Sequence, residues 1–170
     1  RGTKAGGSWA AQPLPDGDGS GFTLQIGEGV ATVLSAKEAT GHPAIAALSS
    51  GNLPAVAKAM RERYPAAALV ILADLVKATG KPDPHAIEAA RSVGGKLAIP
   101  DFGTDRDPDM TDFNDMAQIC HRDAVARAIA NATAAERSEH QADEGNAPTV
   151  EYARDVSLIR ASDVTPEPIT

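Results

Sequence analysis

Carboxylates recur in this chain where short apolar runs end. Glu28 stands between Gly27 and Gly29 just after the run Phe22–Ile26, and Asp74 follows directly on Ala67–Ala73. An acidic stretch, Asp101–Asp115, follows Lys96–Ile99 and Pro100. If these runs are parallel strands, their carboxyl ends share one sheet edge, which is where open α/β sheets bind ligands. Oxygen donors of this kind suit Mg²⁺ or Mn²⁺, held by one or two carboxylates and completed by water and substrate phosphates. A cation placed there supports phosphoryl or nucleotidyl transfer by neutralising developing charge. Surface loops are also commonly acidic, so a merely solvated edge is the alternative reading.

Other residue types near those ends are less telling. Lys77, Lys81 and His85 lie in the stretch after the Ala67–Ala73 run and are candidates for phosphate or nucleotide contact, against a plain solvated loop. Asp74 is either a ligand or the cap of a following turn. Asp112 and Asp115 flank a helix start, where an acid stabilises the helix dipole without any catalytic role. His42 sits in a Gly-His-Pro turn. Cys120 and His121 are adjacent at a helix junction and have no partners at metal-ligand spacing, so they read as packing and surface. Trp9 is a candidate to stack on a base, or to anchor the leading segment onto the sheet.

The elements that must position the acids alternate. Phe22–Ile26, Ala44–Leu48, Ala67–Ala73 and Lys96–Ile99 read as strands, with a further short one near Trp9. AALVILA at 67–73 is apolar throughout, as a strand buried on both faces should be. Helices are predicted over Val30–Thr40, closed by Gly41, over Leu53–Arg63, ended by Tyr64-Pro65, and over His85–Val93, stopped by Gly94-Gly95. Ser49–Asn52 is a polar turn carrying the N-cap of the second helix. Thr111 is expected to cap a short helix over Phe113–Ile119, and Asp123–Ala135 to form the last one. Strands separated by helices of roughly ten residues imply an α/β fold, a small parallel sheet of about four strands flanked by helices on both faces.

Composition bounds the rest. Hydrophobic residues are 42% and charged residues 23%, a globular balance, with aromatics only 4%. No apolar run nears the ~18–20 residues of a membrane span, and the first residues have no signal-peptide core. The single cysteine, Cys120, excludes an internal disulfide and a cysteine-based zinc site; this usage reads as a reducing, cytoplasmic setting. The net charge of −7 is uneven: residues 136–170 hold eight acids and three bases, so residues 1–135 carry only −2. That nearly neutral part is no nucleic-acid binder by bulk charge. Three zones follow: a glycine-rich leading segment at 1–21, a compact domain at 22–135, and a polar, acidic linker at 136–170. The lack of Met at position 1 reads as a piece of a longer protein.

Gly27-Glu28-Gly29-Val30-Ala31-Thr32 resembles the first motif of TOPRIM domains, a strand ending in Glu-Gly before a helix, and Val70-Ile71-Leu72-Ala73-Asp74 resembles the second, a strand ending in Asp-x-Asp. Gly94-Gly95-Lys96 through Pro100, then Thr111-Asp112-Phe113-Asn114-Asp115, is similar to the end of these domains in plasmid and phage primases, and Ser50-Gly51-Asn52-Leu53 is a further feature of that branch. The resemblance runs over residues 22–130 in order. It implies a Mg²⁺-dependent site that joins ribonucleotides into RNA primers on single-stranded DNA, a DNA primase activity. In it Glu28 would be the general acid/base or metal-linked residue, Asp74 a metal ligand, and Asp112 with Asp115 the rest of the acidic cluster. Template and nucleoside triphosphates would be engaged through the parent protein, and the isolated chain is expected to be inactive because priming needs template contacts that it lacks.

One residue departs from the pattern. The second acid of Asp-x-Asp falls at Val76, which cannot coordinate a cation. Either Glu28, Asp74 and Asp112 bind metal more weakly, with Asp83 reaching in, or the domain is a non-catalytic module for nucleic-acid or inter-domain binding. A TOPRIM nuclease is a further alternative. A topoisomerase would need a nucleophilic tyrosine, and Tyr64 and Tyr152 are both poorly placed. The tail Val156–Val164, followed by Pro166–Thr170, looks like the lead-in to a RecA-like helicase domain, although no G-x-x-x-x-G-K-[ST] motif occurs. The stretch at 136–150 would be the hinge in a primase-helicase.

Overall fold

The computed structural model describes residues 7–135. They fall within one compact unit, residues 1–137; the second unit, 138–170, lies outside the described residues, and with it Tyr152 and the expected linker and helicase lead-in.

Eleven elements follow one another among the described residues: β1 (Trp9–Ala10), β2 (Thr23–Gly27), α1 (Val30–Thr40), β3 (Ala44–Ala46), a 3₁₀ turn (Ser50–Asn52), α2 (Leu53–Arg63), β4 (Ala68–Leu72), α3 (Pro84–Ser92), β5 (Lys96–Ala98), α4 (Phe113–Ala130) and β6 (Thr133–Ala134). The sheet order is β1-β3-β2-β4-β5-β6. Its four inner strands are parallel, as expected, while β1 and β6 add antiparallel edges. The sheet of about four strands thus gains two edges, β1 at the short strand expected near Trp9 and β6, which was not expected. Both are two residues long, and β6 owes its extended form to the neighbour it pairs with, which no local pattern reports.

Side-chain alternation divides the core in two. Leu24, Ile26, Leu69 and Ile71 point toward α2 and α3, in a cluster with Val56, Ala57, Ala86 and Ala90. Val70 and Leu72 point the other way, with Val33 and Ala36 of α1 and Phe113, Met116, Val125 and Ile129 of α4. Each large apolar side chain removed from water contributes about 2 kcal/mol, so β4, buried on both faces, is the spine of the fold.

Helix ends follow local chemistry. Gly41 takes the left-handed conformation at φ 75° and its N–H donates to Lys37 O, closing α1. Asp83 caps α3, accepting from His85 N at 2.7 Å, with Pro84 in the first turn. Asn52 holds the N-cap position of α2 but makes no side-chain cap bond; its amide donates to Gly7 O and Ala47 O and so ties the leading segment to β3. Asp112, not Thr111, caps α4. That helix breaks at His121, φ 65°, the junction expected there, and ends at Ala130 rather than Ala135 because the chain turns back to pair with β5.

Candidate metal centre

The loops after β2, β4 and β5 bring four predicted acids together at the carboxyl edge. Glu28 is the first residue after β2. Its flanking glycines do not supply a left-handed turn, since Gly29 is extended at φ −96° and Gly27 also avoids positive φ. Gly27 is instead required by space: a Cβ there would stand 3.0 Å from Val33 Cγ1. Glu28 is half-buried, and its main-chain oxygen accepts from Leu48 N at 2.8 Å.

Asp74 lies just past β4. Asp83 N donates to its main-chain oxygen at 2.8 Å, and Leu75 N donates to Thr111 O at 2.7 Å. The second bond carries the start of α4 to the β4 loop. Asp74 Oδ1 is buried without a hydrogen-bond partner. Its carboxyl pKa is pushed up to about 7, first by burial and then by the charges of Asp112, Glu28, Asp83 and Asp115. So Asp74 senses all of these acids at once.

Asp112 and Asp115 are also structural. Asp112 Oδ1 accepts from Asp115 N at 2.8 Å, and Asp115 Oδ2 accepts from Thr111 N at 2.8 Å and Asp112 N at 3.3 Å, a reciprocal capping box. Asp112 Oδ2 accepts from the Thr32 hydroxyl at 2.9 Å. Asp83, the expected substitute for a missing acid, uses Oδ1 on His85 N and lies 3.1 Å from His85 Nδ1, so it is held as a cap beside α3. Among the described residues, no group of three or more His, Cys, Asp or Glu side chains is arranged to hold a metal ion.

Residues 23–123 match the family model described as the Toprim domain. The chain belongs to the Toprim domain family. Two Escherichia coli proteins, each a DNA primase TraC, are 45% and 44% identical to it over 85 residues, which is 46% of this chain and 8% and 6% of theirs. The chain therefore matches less than a tenth of the length of these relatives. No solved structure matches it significantly.

Within this Toprim domain the lysine candidates are exposed in the hairpin after β4. Lys77 Nζ contacts Asp109 Oδ1 at 2.8 Å in an exposed pair, whose hydrogen bond raises the lysine pKa and lowers that of Asp109. Lys81 is exposed in the same small hairpin, which the Leu75–Pro82 bridge closes. Val76, where the second acid would stand, is 36% exposed, and its backbone pairs with Lys81 O. Tyr64 is fully buried and its hydroxyl donates to Pro15 O, which removes it as a nucleophile.

Two contributors escaped the sequence reading. Thr32 has no signature beyond lying one helical turn after Glu28. Arg106 had one: it is the single base in the acidic stretch Asp101–Asp115. Its guanidinium donates to Met110 O at 2.6 Å, Pro108 O at 3.1 Å and Lys77 O at 3.1 Å, fastening the loop after β5 to the hairpin after β4.

Proposed function

We propose that this Toprim domain is the Mg²⁺-dependent nucleotidyl-transfer site of a DNA primase that makes RNA primers on single-stranded DNA. The observation that carries the reading is Asp74 Oδ1, a buried carboxylate oxygen without a donor inside an acidic cluster. Burying such an atom is unfavourable unless something compensates, and a divalent cation compensates both its charge and its vacant lone pairs. The donor chemistry fits Mg²⁺ or Mn²⁺. One or two carboxylates are enough for such a cation when phosphates and water complete the shell, so a closed cage of three side chains is not needed.

Asp74 and Glu28 would hold the cation, with Asp112 and Asp115 adding negative charge from the start of α4. When bound, the cation supplies charge neutralisation at the transferring phosphate. Glu28, half-buried and without a hydrogen bond to its carboxylate among the described residues, would be the general acid/base or metal-linked residue. Thr32 keeps Asp112 oriented. Lys77 and Lys81 in the outer hairpin, with His85 in the first turn of α3, would be the groups to meet the distal phosphates.

Similarity to two DNA primases supports the substrate class: nucleoside triphosphates and a template engaged by the parent protein. Residues 22–135 would be the domain, and 136–170 a linker toward a helicase domain in a plasmid- or phage-type primase-helicase working in the cytoplasm. No helix among the described residues is long and apolar enough to cross a membrane.

Val76 favours a second reading, a non-catalytic module for nucleic-acid or inter-domain binding. Calorimetric titration with Mg²⁺ separates the two. On the catalytic reading the chain binds Mg²⁺ at millimolar concentration, Glu28→Gln abolishes binding, and Val76→Asp strengthens it about tenfold by adding one ligand. Primer synthesis by the parent that survives Glu28→Gln overturns the catalytic assignment.

A further inference from the structure

Thr32 is buried in the first turn of α1, whose other buried residues, Val33 and Ala36, pack with the apolar side chains of α4. Alanine or leucine would suit a buried helix position better, because threonine is stiff at χ1 and a modest helix former. Its side chain is closely housed: a Cβ on Gly27 would stand 3.4 Å from the Thr32 methyl, and one on Gly29 3.5 Å from its hydroxyl. The hydroxyl donates out of the helix, to Asp112 Oδ2 at 2.9 Å, rather than back to a carbonyl of α1. Ser35, about one turn on, donates to Asn114 Oδ1 at 3.3 Å, so α1 meets the start of α4 through two hydroxyls.

The first of these bonds changes what Asp112 can offer a cation. Asp112 Oδ1 already accepts from Asp115 N at 2.8 Å, so each of its oxygens holds a protein donor. Asp74 Oδ1, by contrast, has none. A carboxylate that chelates a cation turns both oxygens to it, which Asp112 can do only by giving up a donor. With both donors in place it attracts a cation through intervening water. Mg²⁺ suits that arrangement, because it dehydrates reluctantly and keeps several waters. Ca²⁺ takes roughly six to eight oxygens and often a bidentate carboxylate. Among the described residues no three acids are arranged to close around an ion, which also leaves much of its shell to water.

We propose that Thr32 determines cation specificity: by occupying Asp112 Oδ2 it makes the acidic cluster favour Mg²⁺ over Ca²⁺. This rests on the metal-site reading above. Thr32 is a positioning residue, acting through Asp112 rather than on the cation itself. Without its hydroxyl, Oδ2 is open to the cation, and the ion that uses more oxygens gains more. Asp112 Oδ1 keeps its bond to Asp115 N, so the cap of α4 survives the change.

Calorimetric titration of the 170-residue chain with Mg²⁺ and with Ca²⁺ tests this. The unaltered chain should bind Mg²⁺ more tightly. Thr32→Val, nearly the same shape, and Thr32→Ala, a better helix former, both remove the hydroxyl. Each should raise Ca²⁺ affinity relative to Mg²⁺ about tenfold, as expected for one added ligand oxygen, with a melting curve confirming the fold. Thr32→Ser restores the donor and should restore the preference. Ser35→Ala loosens the same helix contact one turn away and should leave the ratio unchanged. The carboxyl carbon NMR signal of Asp112 should move with Ca²⁺ in Thr32→Val and stay in place in the unaltered chain. A ratio unchanged in both variants that lack the hydroxyl overturns the proposal, as does an equal shift in Ser35→Ala or a Ca²⁺ preference in the unaltered chain. If neither cation binds at millimolar concentration, the metal reading fails and the proposal with it, whereas Mg²⁺ binding with an unchanged ratio sinks the proposal alone.

Discussion

Asp112 meets the sheet edge with donors on both oxygens, the Asp115 N–H on one and the Thr32 hydroxyl on the other. Asp74, one loop away, has a buried Oδ1 with no donor and a pKa near 7. The two side chains are chemically identical and each adds to the field that the other feels. What separates them is local backbone geometry. A helix start offers unsatisfied N–H groups, so Asp112 is stabilised by the fold that it helps to start. A strand end between buried apolar residues offers none, and Asp74 is kept there at a cost to stability. An acid that serves the fold needs no other purpose, whereas one that the fold must tolerate points to a ligand.

The largest test of this contrast is Asp74→Asn. Removing the charge should weaken Mg²⁺ binding by about a hundredfold, since even outer partners of a metal site are worth ten- to a hundredfold. The same variant should melt higher than the unaltered chain at pH 8 in EDTA. A lower melting temperature would mean that Asp74 is structural after all.

Next in size is the pH dependence of the metal-free chain. The unfolded carboxyl titrates near 3.8 and the folded one near 7. The fold thus holds the proton more tightly, and the stability linked to Asp74 is fully present below pH 3.8 and lost as pH rises through about 7. Allowing for partial exposure, the loss is on the order of 3 kcal/mol. Urea denaturation in EDTA across this range should show it, and Asp74→Asn should flatten it.

Asp112 can be divided into its two roles. Asp112→Ala should cost about 1–2 kcal/mol through the lost cap, measured by denaturation. Asp112→Ser keeps an N-cap oxygen and should hold stability near the starting value, while lowering Mg²⁺ affinity by roughly threefold through the lost charge. An equal loss of Mg²⁺ binding in Asp112→Ser and Asp74→Asn would make Asp112 a direct ligand. The smallest effect belongs to Lys77→Ala: its pair with Asp109 is exposed, so the melting temperature should move by less than about 1 °C.

Much of this was legible before folding. The bounds of α1 and α2 follow from the glycine after Thr40 and from the proline after Tyr64. The ends of the inner strands fall within one or two residues of the ends of the apolar runs. Glu28 and Asp74 are visible as acids at strand ends because the βα alternation is a local pattern. The short strand expected near Trp9 is β1, but the other edge strand, β6, is not legible, since its two residues gain extended structure only from a partner far away in sequence. The cap of α4 was placed one residue early because Thr and Asp are both good caps, and the choice depends on which side chain reaches the third amide.

The chain's order of residue types by itself determined the alternation of strands and helices, the edge on which chemistry would sit, and the absence of a second acid at Val76. Those depend on neighbours within a few residues, through backbone sterics and apolar periodicity. Tertiary structure alone decided that Thr32 holds Asp112, that Asp74 is left without a donor, and that Arg106 fastens two loops together. Each of these rests on contacts between segments distant in sequence, where burial and hydrogen-bond supply are set only once the sheet is assembled.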